Sequence, residues 1–327
     1  MFIKSGDEMR KLYKEAKKGS YAFVASNVAE TNIMIGLMEG AEKSGSDLVL
    51  QLSRSACEFA GNGDALAGLK AMGSYMEEIA EKYDIGVFLN MDHLKDLDFI
   101  QKAIQTGFPS SVMIDASEES FEDNVEKSRQ AKEMAEGKDV LIEAELGRIK
   151  GVENDVSSDE SYYTDPEKAV DFVRKTKCDL LAISVGTKHG VSKGKDLNLR
   201  TGIAKEVNEK LIAKNKEVPL VIHGSSGLTH DQMKELAEKG VCKFNKDTRY
   251  QYEYARTAAK FYIQNKESIL PPGKSSESGG PFTKGGWSPN KDHFDPRVVS
   301  RKVRKGISEV IEELNGVVGS QGKSLYI

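Results

Sequence analysis

The sequence predicts an α/β protein of the (β/α)8 TIM-barrel class, with a C-terminal loop excursion and an extra helix. Eight short runs of aliphatic and β-branched residues recur along the 327 residues, separated by stretches with helical periodicity. Polar residues end these runs, as expected where the ends of parallel strands form a catalytic face. Barrels of this class commonly reach this length as one unit, so we expect a single domain over residues 1–327.

The predicted strands share a high content of Val, Ile and Leu. They cover residues 21–27, 47–53, 85–92, 111–117, 140–147, 180–186, 220–227 and 241–248. Stretches such as 121–136, 166–175 and 230–239 carry apolar residues at helical spacing, with charges on the opposite face. One of them opens with the cap-like sequence Thr164, Asp165 and Pro166, which is typical of a helix start.

Three segments depart from the regular alternation of strands and helices. The connections 148–163 and 187–198 are long for turns between a strand and a helix, and such loops at this end of a barrel are often lids or binding loops. Residues 264–294 are rich in Pro, Gly, Ser and Lys and predict a loop excursion. A helical pattern resumes over residues 295–314.

Composition excludes several classes of function. Hydrophobic residues make up 39% and charged residues 30%, which is typical of a globular chain. The net charge is −4 without a basic stripe, so nucleic acid is not an expected partner. No apolar run reaches the ~20 residues of a membrane helix or forms a signal peptide, so we expect no membrane partner and a cytoplasmic protein. The three cysteines are unpaired by spacing, and the sequence predicts reduced, structural thiols.

Three of the five histidines lie at predicted strand ends. His93, His189 and His223 follow different strands, where their imidazoles can converge toward the barrel axis. A single histidine there would more often be structural, but three together form a ligand set that zinc uses. Zinc with an open coordination position can polarise a carbonyl oxygen, so the pattern predicts Lewis-acid chemistry.

The ends of the last two strands carry short glycine- and hydroxyl-containing sequences, HGSSG at 223–227 and NKDT at 245–248. Loops after these two strands often form a phosphate site in barrels, where backbone NH groups and hydroxyls surround the anion. Tight turns with small capping residues are the alternative explanation. The histidines nearby favour a phosphate site.

Taken together, these motifs resemble the class II, zinc-dependent fructose-bisphosphate aldolase family. The resemblance runs from about Tyr21 to the C-terminus. It is carried by the ordered motifs Asp92-His93, SVMIDAS at 111–117, EAELGRIKGVEND at 143–155, GTKHGVSKG at 186–194, HGSSG at 223–227, FNKDT at 244–248 and DPR at 295–297. Their common order and spacing make the match specific.

The resemblance implies reversible cleavage of a ketose bisphosphate, foremost fructose 1,6-bisphosphate, to glycerone phosphate and glyceraldehyde 3-phosphate. His93, His189 and His223 would hold Zn²⁺, which would stabilise an enediolate. Asp92 would exchange a proton with the substrate hydroxyl at the cleaved bond, although an orienting role beside the metal is an alternative. Such a reaction belongs to glycolysis and gluconeogenesis.

Further roles are implied only by the resemblance. Glu153 would handle the proton at the nucleophilic carbon of the triose, whereas by composition it is an ordinary solvated acid. Asp115 and Glu145 would offer an alternative, neighbouring metal position. Asn27 and Asn245 would contact substrate hydroxyls, and structural roles remain open for these four residues.

The resemblance also implies two phosphate sites and an oligomer. The C1 phosphate would bind in a cup formed by Gly190, Gly224, Ser226, Asp247 and Thr248. A monovalent cation, Na⁺ or K⁺, would lie nearby. Ser53, Lys291 and Arg297 would bind the second phosphate, although Arg297 alone is also consistent with a salt bridge at a helix start. The longer, dimeric branch of the family carries this second group, so we expect a homodimer or higher homo-oligomer.

Four positions depart from the family pattern, namely Asn90, Ser225, Lys246 and Arg249. None is a predicted zinc ligand, but they keep open a tagatose bisphosphate or another phosphorylated or sulfonated ketose as substrate. Two rival functions also remain open. Lys188 after the sixth strand predicts a Schiff-base aldolase as one alternative, and a non-catalytic barrel that binds sugar phosphates is the other.

Overall fold

Parallel strands close into a barrel in the computed structural model, which describes residues 1–147, 162–191, 197–271 and 287–327. A two-residue strand precedes the barrel, and eight strands in chain order form it, with β9 returning to pair with β2. The strands are β1 (Phe2–Ile3), β2 (Phe23–Asn27), β3 (Leu48–Ser53), β4 (Val87–Leu94), β5 (Ser111–Ile114), β6 (Leu141–Leu146), β7 (Leu180–Ile183), β8 (Leu220–Ile222) and β9 (Val241–Lys246). The predicted (β/α)8 barrel is therefore confirmed.

Helices surround the barrel, with a short 3₁₀ turn at Ser225–Gly227. They are α1 (Gly6–Gly19), α2 (Thr31–Lys43), α3 (Arg54–Ala60), α4 (Ala65–Ala80), α5 (Leu97–Gln105), α6 (Phe121–Met134), α7 (Pro166–Thr176), α8 (Gly202–Ala213), α9 (His230–Glu238), α10 (Thr248–Gln264), α11 (Lys266–Ile269), α12 (Lys291–Phe294) and α13 (Pro296–Val318). The predicted excursion 264–294 thus contains two short helices, α11 and α12. No helix in these parts of the chain is long and apolar enough to cross a membrane.

Strand ends differ from the predicted bounds in an instructive way. The strands β5 and β7 end three residues earlier than expected and β8 ends five residues earlier, where the backbone turns, and β4 continues through His93 to Leu94. Gly186 and Gly224 have φ angles of 99° and 61°, which end the extended conformation after β7 and β8. Polar residues in these segments therefore belong to loops at the barrel mouth.

Helix α1 closes the opposite end of the barrel. Its apolar residues Met9, Leu12 and Tyr13 are fully buried and pack with Phe23 and Phe88 in one core cluster. Ser5 caps the helix, because its side chain accepts a hydrogen bond from the Glu8 amide. The N-terminal end of the barrel is thus filled by core packing, and the C-terminal end is the face with polar side chains.

Helix α13 packs along α2 on the outside of the barrel. A Cβ atom added to Gly40 would lie 2.3 Å from the Ser308 carbonyl oxygen, so a glycine is required for the two helices to approach this closely. Near the start of α2, Arg304 donates to Asn32 over 3.0 Å. Since α13 begins eight residues before Arg304, its first two turns extend past the start of α2, on the side of the barrel mouth.

Candidate active site

The unusual backbone at the end of β4 brings two neighbouring side chains to the barrel mouth. In a regular strand, Asp92 and His93 would point to opposite faces. His93 instead has a φ angle of 49°, and the pairing of β4 with β5 shifts register between Met91 and Leu94. As a result, His93 reaches His223, which follows β8, and Asp92 reaches Asn245 near the end of β9.

His93, His189 and His223 form the centre of the site. The Nε2 atom of His93 lies 2.8 Å from Nδ1 of His223, and their ring centroids are 4.5 Å apart. The ring of His189, in the loop after β7, lies 5.2 Å from that of His93 at an angle of 71°. The three predicted histidines therefore lie close together, although His93 and His223 are 130 residues apart in the sequence.

Carboxylates orient two of these rings by binding the ring nitrogen on the side away from the other histidines. Asp115 Oδ2 lies 2.9 Å from His93 Nδ1, and Glu143 Oε1 lies 2.8 Å from His223 Nε2. Lys243 in turn donates to Glu143 over 2.5 Å, and this ion pair is fully buried. With one nitrogen of each ring engaged, Nε2 of His93 and Nδ1 of His223 are the atoms that face the centre of the site.

The charges around the histidines favour a cation at this place. Burial opposes the charge on His93, but Asp92 and the hydrogen-bonded Asp115 outweigh it and raise its pKa to about 10. Burial, with a contribution from His93, lowers the pKa of His189 to about 4 and also lowers that of His223. The surrounding carboxylates therefore stabilise one positive charge in the cluster, and neutral imidazoles are available beside it as ligands.

In the part of the chain that the structure describes, two groups of side chains have the spacing of a metal site. Asp92, His93 and His223 form one, and His93, Asp115 and Glu145 form the other, with candidate ligand atoms within 4.8 Å of one another. The Oε2 atom of Glu145 is buried without a hydrogen-bond partner among the described residues. Burial, followed by Asp115, raises the pKa of Glu145 to about 8. A carboxylate oxygen in this situation fits a metal ion, which would supply the missing partner.

Three amides fix the carboxylate of Asp92. Asn27 donates to Oδ2 over 2.8 Å, and Gln51 and Asn245 donate to Oδ1 over 3.2 and 3.1 Å. Burial favours the neutral acid, but His93 and His223 lower the pKa of Asp92 below its ordinary value. Asp92 is therefore an oriented carboxylate beside the histidine cluster, and Asn27 and Asn245, which were predicted to contact substrate hydroxyls, contact this carboxylate.

The residues predicted for the phosphate cup lie on the three loops that follow β7, β8 and β9. Gly190 and Gly224 have positive φ angles, and a Cβ atom on Gly224 would lie 2.8 Å from the carbonyl of Lys188, so the loops after β7 and β8 touch. Ser226 lies in the 3₁₀ turn after β8. Asp247 and Thr248 begin α10, whose first turn has no side-chain cap. Such an uncapped helix start can offer amide groups to an anion.

The residues predicted to bind the second phosphate lie on three different elements, and no hydrogen bond or ion pair joins them to one another among the described residues. Ser53 ends β3 in register with Asp92, and its hydroxyl caps α3 by accepting from the Ala56 amide. Lys291 begins α12. Arg297 begins α13 and binds Asp295 through its guanidinium, which is 76% exposed. In this arrangement Arg297 forms the salt bridge that the sequence had left open as an alternative.

Comparisons with known proteins identify the family. The sequence model of the class II fructose-bisphosphate aldolase family matches residues 7–323 of this chain. A protein of Paracoccidioides lutzii named fructose-bisphosphate aldolase 1 is 33% identical, and the match covers 94% of this chain and 93% of that protein. The chain belongs to the class II fructose-bisphosphate aldolase family.

Two further relatives of this class II aldolase are named for different substrates. The D-tagatose-1,6-bisphosphate aldolase subunit GatY of Klebsiella oxytoca is 32% identical over 83% of this chain and 90% of its own. The crystal structure of the fructose-bisphosphate aldolase of Campylobacter jejuni has a TM-score of 0.84 at 27% identity, covering 99% of this chain and 97% of that one. Family membership therefore fixes the reaction class more firmly than the sugar.

Several contacts in this class II aldolase were missed by sequence reasoning. Gln51, Glu143 and Lys243 interrupt apolar strands and point into the barrel, where Gln51 holds Asp92, Glu143 holds His223 and Lys243 binds Glu143. The signal was available, because a polar residue at an inward position of a buried strand needs a partner. Glu153, predicted as an acid–base residue, lies outside the described residues.

Proposed function

We propose that this chain is a metal-dependent aldolase that reversibly cleaves a ketose 1,6-bisphosphate. Fructose 1,6-bisphosphate is the first candidate, with glycerone phosphate and glyceraldehyde 3-phosphate as products. The observation that carries the proposal is the convergence of His93, His189 and His223 next to the oriented carboxylate of Asp92. The proposal is supported by the family match over residues 7–323.

The proposed metal is Zn²⁺, held by His93, His189 and His223. The donor set fits, because imidazole nitrogens are ordinary zinc ligands and Asp115 and Glu143 hold two of the rings in place. A bound zinc ion is a Lewis acid that polarises a ketone oxygen and stabilises the negative charge left there by carbon–carbon cleavage. Asp115 and Glu145, with His93, are proposed as a neighbouring position for the ion.

The proposed role of Asp92 is to accept the proton of the hydroxyl on the carbon that becomes the aldehyde. Its Oδ1 and Oδ2 atoms are held by three amides and cannot turn freely. The lowered pKa keeps Asp92 ionised at neutral pH, so it is ready to receive the proton. In the synthetic direction the same oxygen returns the proton to the new hydroxyl.

Further roles in the proposed reaction concern the triose and the sugar. We propose that Glu153 carries the proton of the nucleophilic carbon after cleavage, a role that rests on the family resemblance because this residue lies outside the described chain. Asn27 and Asn245 are proposed to contact substrate hydroxyls as well as Asp92. The cup of Gly190, Gly224, Ser226, Asp247 and Thr248 is proposed to bind the C1 phosphate, with a cation nearby.

The reaction is tested by removing and restoring the metal. Exhaustive chelation is expected to abolish release of triose phosphate from fructose 1,6-bisphosphate, and added Zn²⁺ is expected to restore it, because the ion is the only strong electrophile proposed for the carbonyl. The assay uses a coupled dehydrogenase to measure glycerone phosphate, the product that all the substrates share, with fructose, tagatose and sulfonated ketose phosphates in parallel.

Each outcome of that assay separates this reaction from its rivals. Full activity of the metal-free protein, with borohydride trapping of substrate on Lys188, would establish the Schiff-base alternative. Binding of sugar phosphates without cleavage at any metal content would indicate a non-catalytic barrel. Faster cleavage of tagatose 1,6-bisphosphate would assign this chain the substrate named for its Klebsiella relative.

Arg297 is proposed to bind the second phosphate, together with Lys291 and Ser53. Replacing Arg297 by Ala is expected to lower kcat/KM for fructose 1,6-bisphosphate about 10- to 150-fold, because a charge-assisted contact is worth roughly 1.5–3 kcal/mol. The same change should affect fructose 1-phosphate less than about threefold. The measurement compares the two specificity constants of one variant.

Arg301 provides the matched control for this experiment, since it is an exposed arginine one turn further along α13. Arg301→Ala is expected to leave both substrates unaffected. Equal losses for both substrates in Arg297→Ala would mean that the salt bridge with Asp295, which has a 2.6 Å contact, is the whole role of this residue.

We also propose a homodimer in the cytoplasm. Helix α10 exposes Tyr252 and Ile263, which are 62% and 76% accessible and lie on one face with Ala255 and Ala259. An exposed apolar helix face of this kind supports a subunit contact. Cys57, Cys178 and Cys242 are free and buried, which suits a reducing compartment.

A further inference from the structure

Lys246 is a buried cation behind the proposed phosphate cup. It ends β9, where Lys243 and Asn245 point toward the barrel interior and contact Glu143 and Asp92. Strand alternation turns Lys246 the other way, and its side chain lies under the loop after β8 with a residue exposure of 3%. There Nζ donates to the carbonyl oxygen of Ser225 over 2.5 Å.

Ser225 is the middle residue of the cup's glycine- and serine-containing loop. It lies between Gly224 and Ser226, is fully buried, and donates through its hydroxyl to the carbonyl oxygen of Asn245 over 2.6 Å. The loop and β9 are thus joined by two hydrogen bonds of opposite direction. Both partners, Ser225 and Lys246, are positions where this chain departs from the family pattern, and the structure places them in direct contact.

The ammonium group lacks a counter-charge of its own. Among the described residues Lys246 forms no ion pair with a carboxylate, and the charged group that acts on it is Arg249, which binds Glu253 over 3.0 Å. Burial first and Arg249 second lower the pKa of Lys246 to about 7. A buried cation without a partner is costly, so an anion bound in front of Ser225 would stabilise it.

We propose that Lys246 supplies a positive charge to the phosphate cup when an anion is bound there, and that it replaces the Na⁺ or K⁺ expected from the family resemblance. The carbonyl oxygen of Ser225 already accepts from the ammonium, so the positive charge behind the cup belongs to the protein. The proposal rests on the proposed function only in taking the anion to be the C1 phosphate of the substrate. Phosphate binding is therefore independent of added monovalent cations in this chain.

The test measures binding of inorganic phosphate by calorimetry to the zinc-loaded protein, in tetramethylammonium buffer and in potassium buffer. Wild-type affinity is expected to agree within about twofold between the two buffers. Lys246→Met, which keeps the length and loses the charge, is expected to bind phosphate about tenfold or more weakly in tetramethylammonium, and potassium is expected to restore part of the loss. Lys260→Met, an exposed lysine on α10, is the matched control and should match the wild type in both buffers.

A structural lysine would behave differently. Affinity of Lys246→Met equal to that of the wild type in tetramethylammonium would overturn the proposal, and so would a wild-type affinity that rises tenfold with potassium. Thermal unfolding of each variant reports its folding. If Lys246→Met does not fold, Lys246→Arg keeps the charge and should retain cation-independent binding, whereas a requirement of Lys246→Arg for potassium would refute the proposal.

Competition separates this inference from the proposed function. If fructose 1-phosphate displaces phosphate from the wild type and Lys246→Met shows no change, the cup stands and the role of Lys246 is wrong. If the wild type binds phosphate without displacement by the ketose phosphate, the assignment of the cup fails and the role of Lys246 falls with it.

Discussion

Replacing Asp92 by Ala is expected to lower kcat for ketose bisphosphate cleavage about 100- to 10,000-fold while the zinc content stays at the wild-type level. A positioned general acid–base group typically contributes this much. Asn27, Gln51 and Asn245 hold the carboxylate beside the histidines. Its removal leaves the substrate hydroxyl without a proton acceptor, while the proposed zinc ligands remain. Turnover and metal content are measured on the same preparation.

Asp47 is a useful control for the Asp92 experiment. It is also a buried carboxylate, but it lies near the N-terminal end of the barrel and accepts hydrogen bonds from the Gly86 amide and the Ser324 hydroxyl. Asp47→Ala should lower the unfolding temperature with little change in kcat of the folded fraction. Loss of zinc together with activity in Asp92→Ala would instead assign Asp92 the orienting role beside the metal.

Replacing His93, His189 or His223 by Ala is expected to remove both bound zinc and turnover. A Lewis acid at the carbonyl contributes several kcal/mol, so a loss of about 1,000-fold or more is expected for each variant. Metal content is measured by mass spectrometry after dialysis against a fixed low zinc concentration. His223→Ala should also leave the buried carboxylate of Glu143 without its ring partner, so its stability should fall more than that of His189→Ala.

His230 distinguishes a metal effect from a general effect of losing an imidazole. It begins α9, is about half exposed, and lies 3.5 Å from Glu313 on α13. His230→Ala should keep both zinc and turnover. Comparable losses at all four histidines would contradict the proposed ligand set.

The positions of the site residues could be predicted because polar residues stop apolar runs abruptly. Asn27, His223 and Asn245 were all found in this way, and the barrel brings their strand ends together at one face. The joint orientation of Asp92 and His93 could not be predicted, since it depends on the left-handed backbone of His93. Alternation alone would have turned one of the two away from the site.

Side-chain contacts set a second limit to what the sequence can predict. The sequence indicates that Arg297 starts a helix, but its ion pair with Asp295 depends on rotamers and solvent exposure. Likewise, Lys246 appeared as an isolated departure from a motif, and only the structure shows that its partner is the other departure, Ser225. Pairing of this kind is fixed by tertiary packing and leaves no periodic signal in the chain.

The buried pair of Glu143 and Lys243 has a consequence for how this molecule can change over generations. Removing either residue alone leaves an uncompensated charge in the barrel, at a cost of about 3–5 kcal/mol, whereas exchanging both for apolar side chains of similar volume is often neutral. A double apolar variant can thus be reached from the present sequence only through one of two deleterious single variants. Because Glu143 also binds His223, the double exchange would leave that ring without its anchor. Drift by single substitutions is therefore blocked here, and the pair should persist in descendants that keep the histidine.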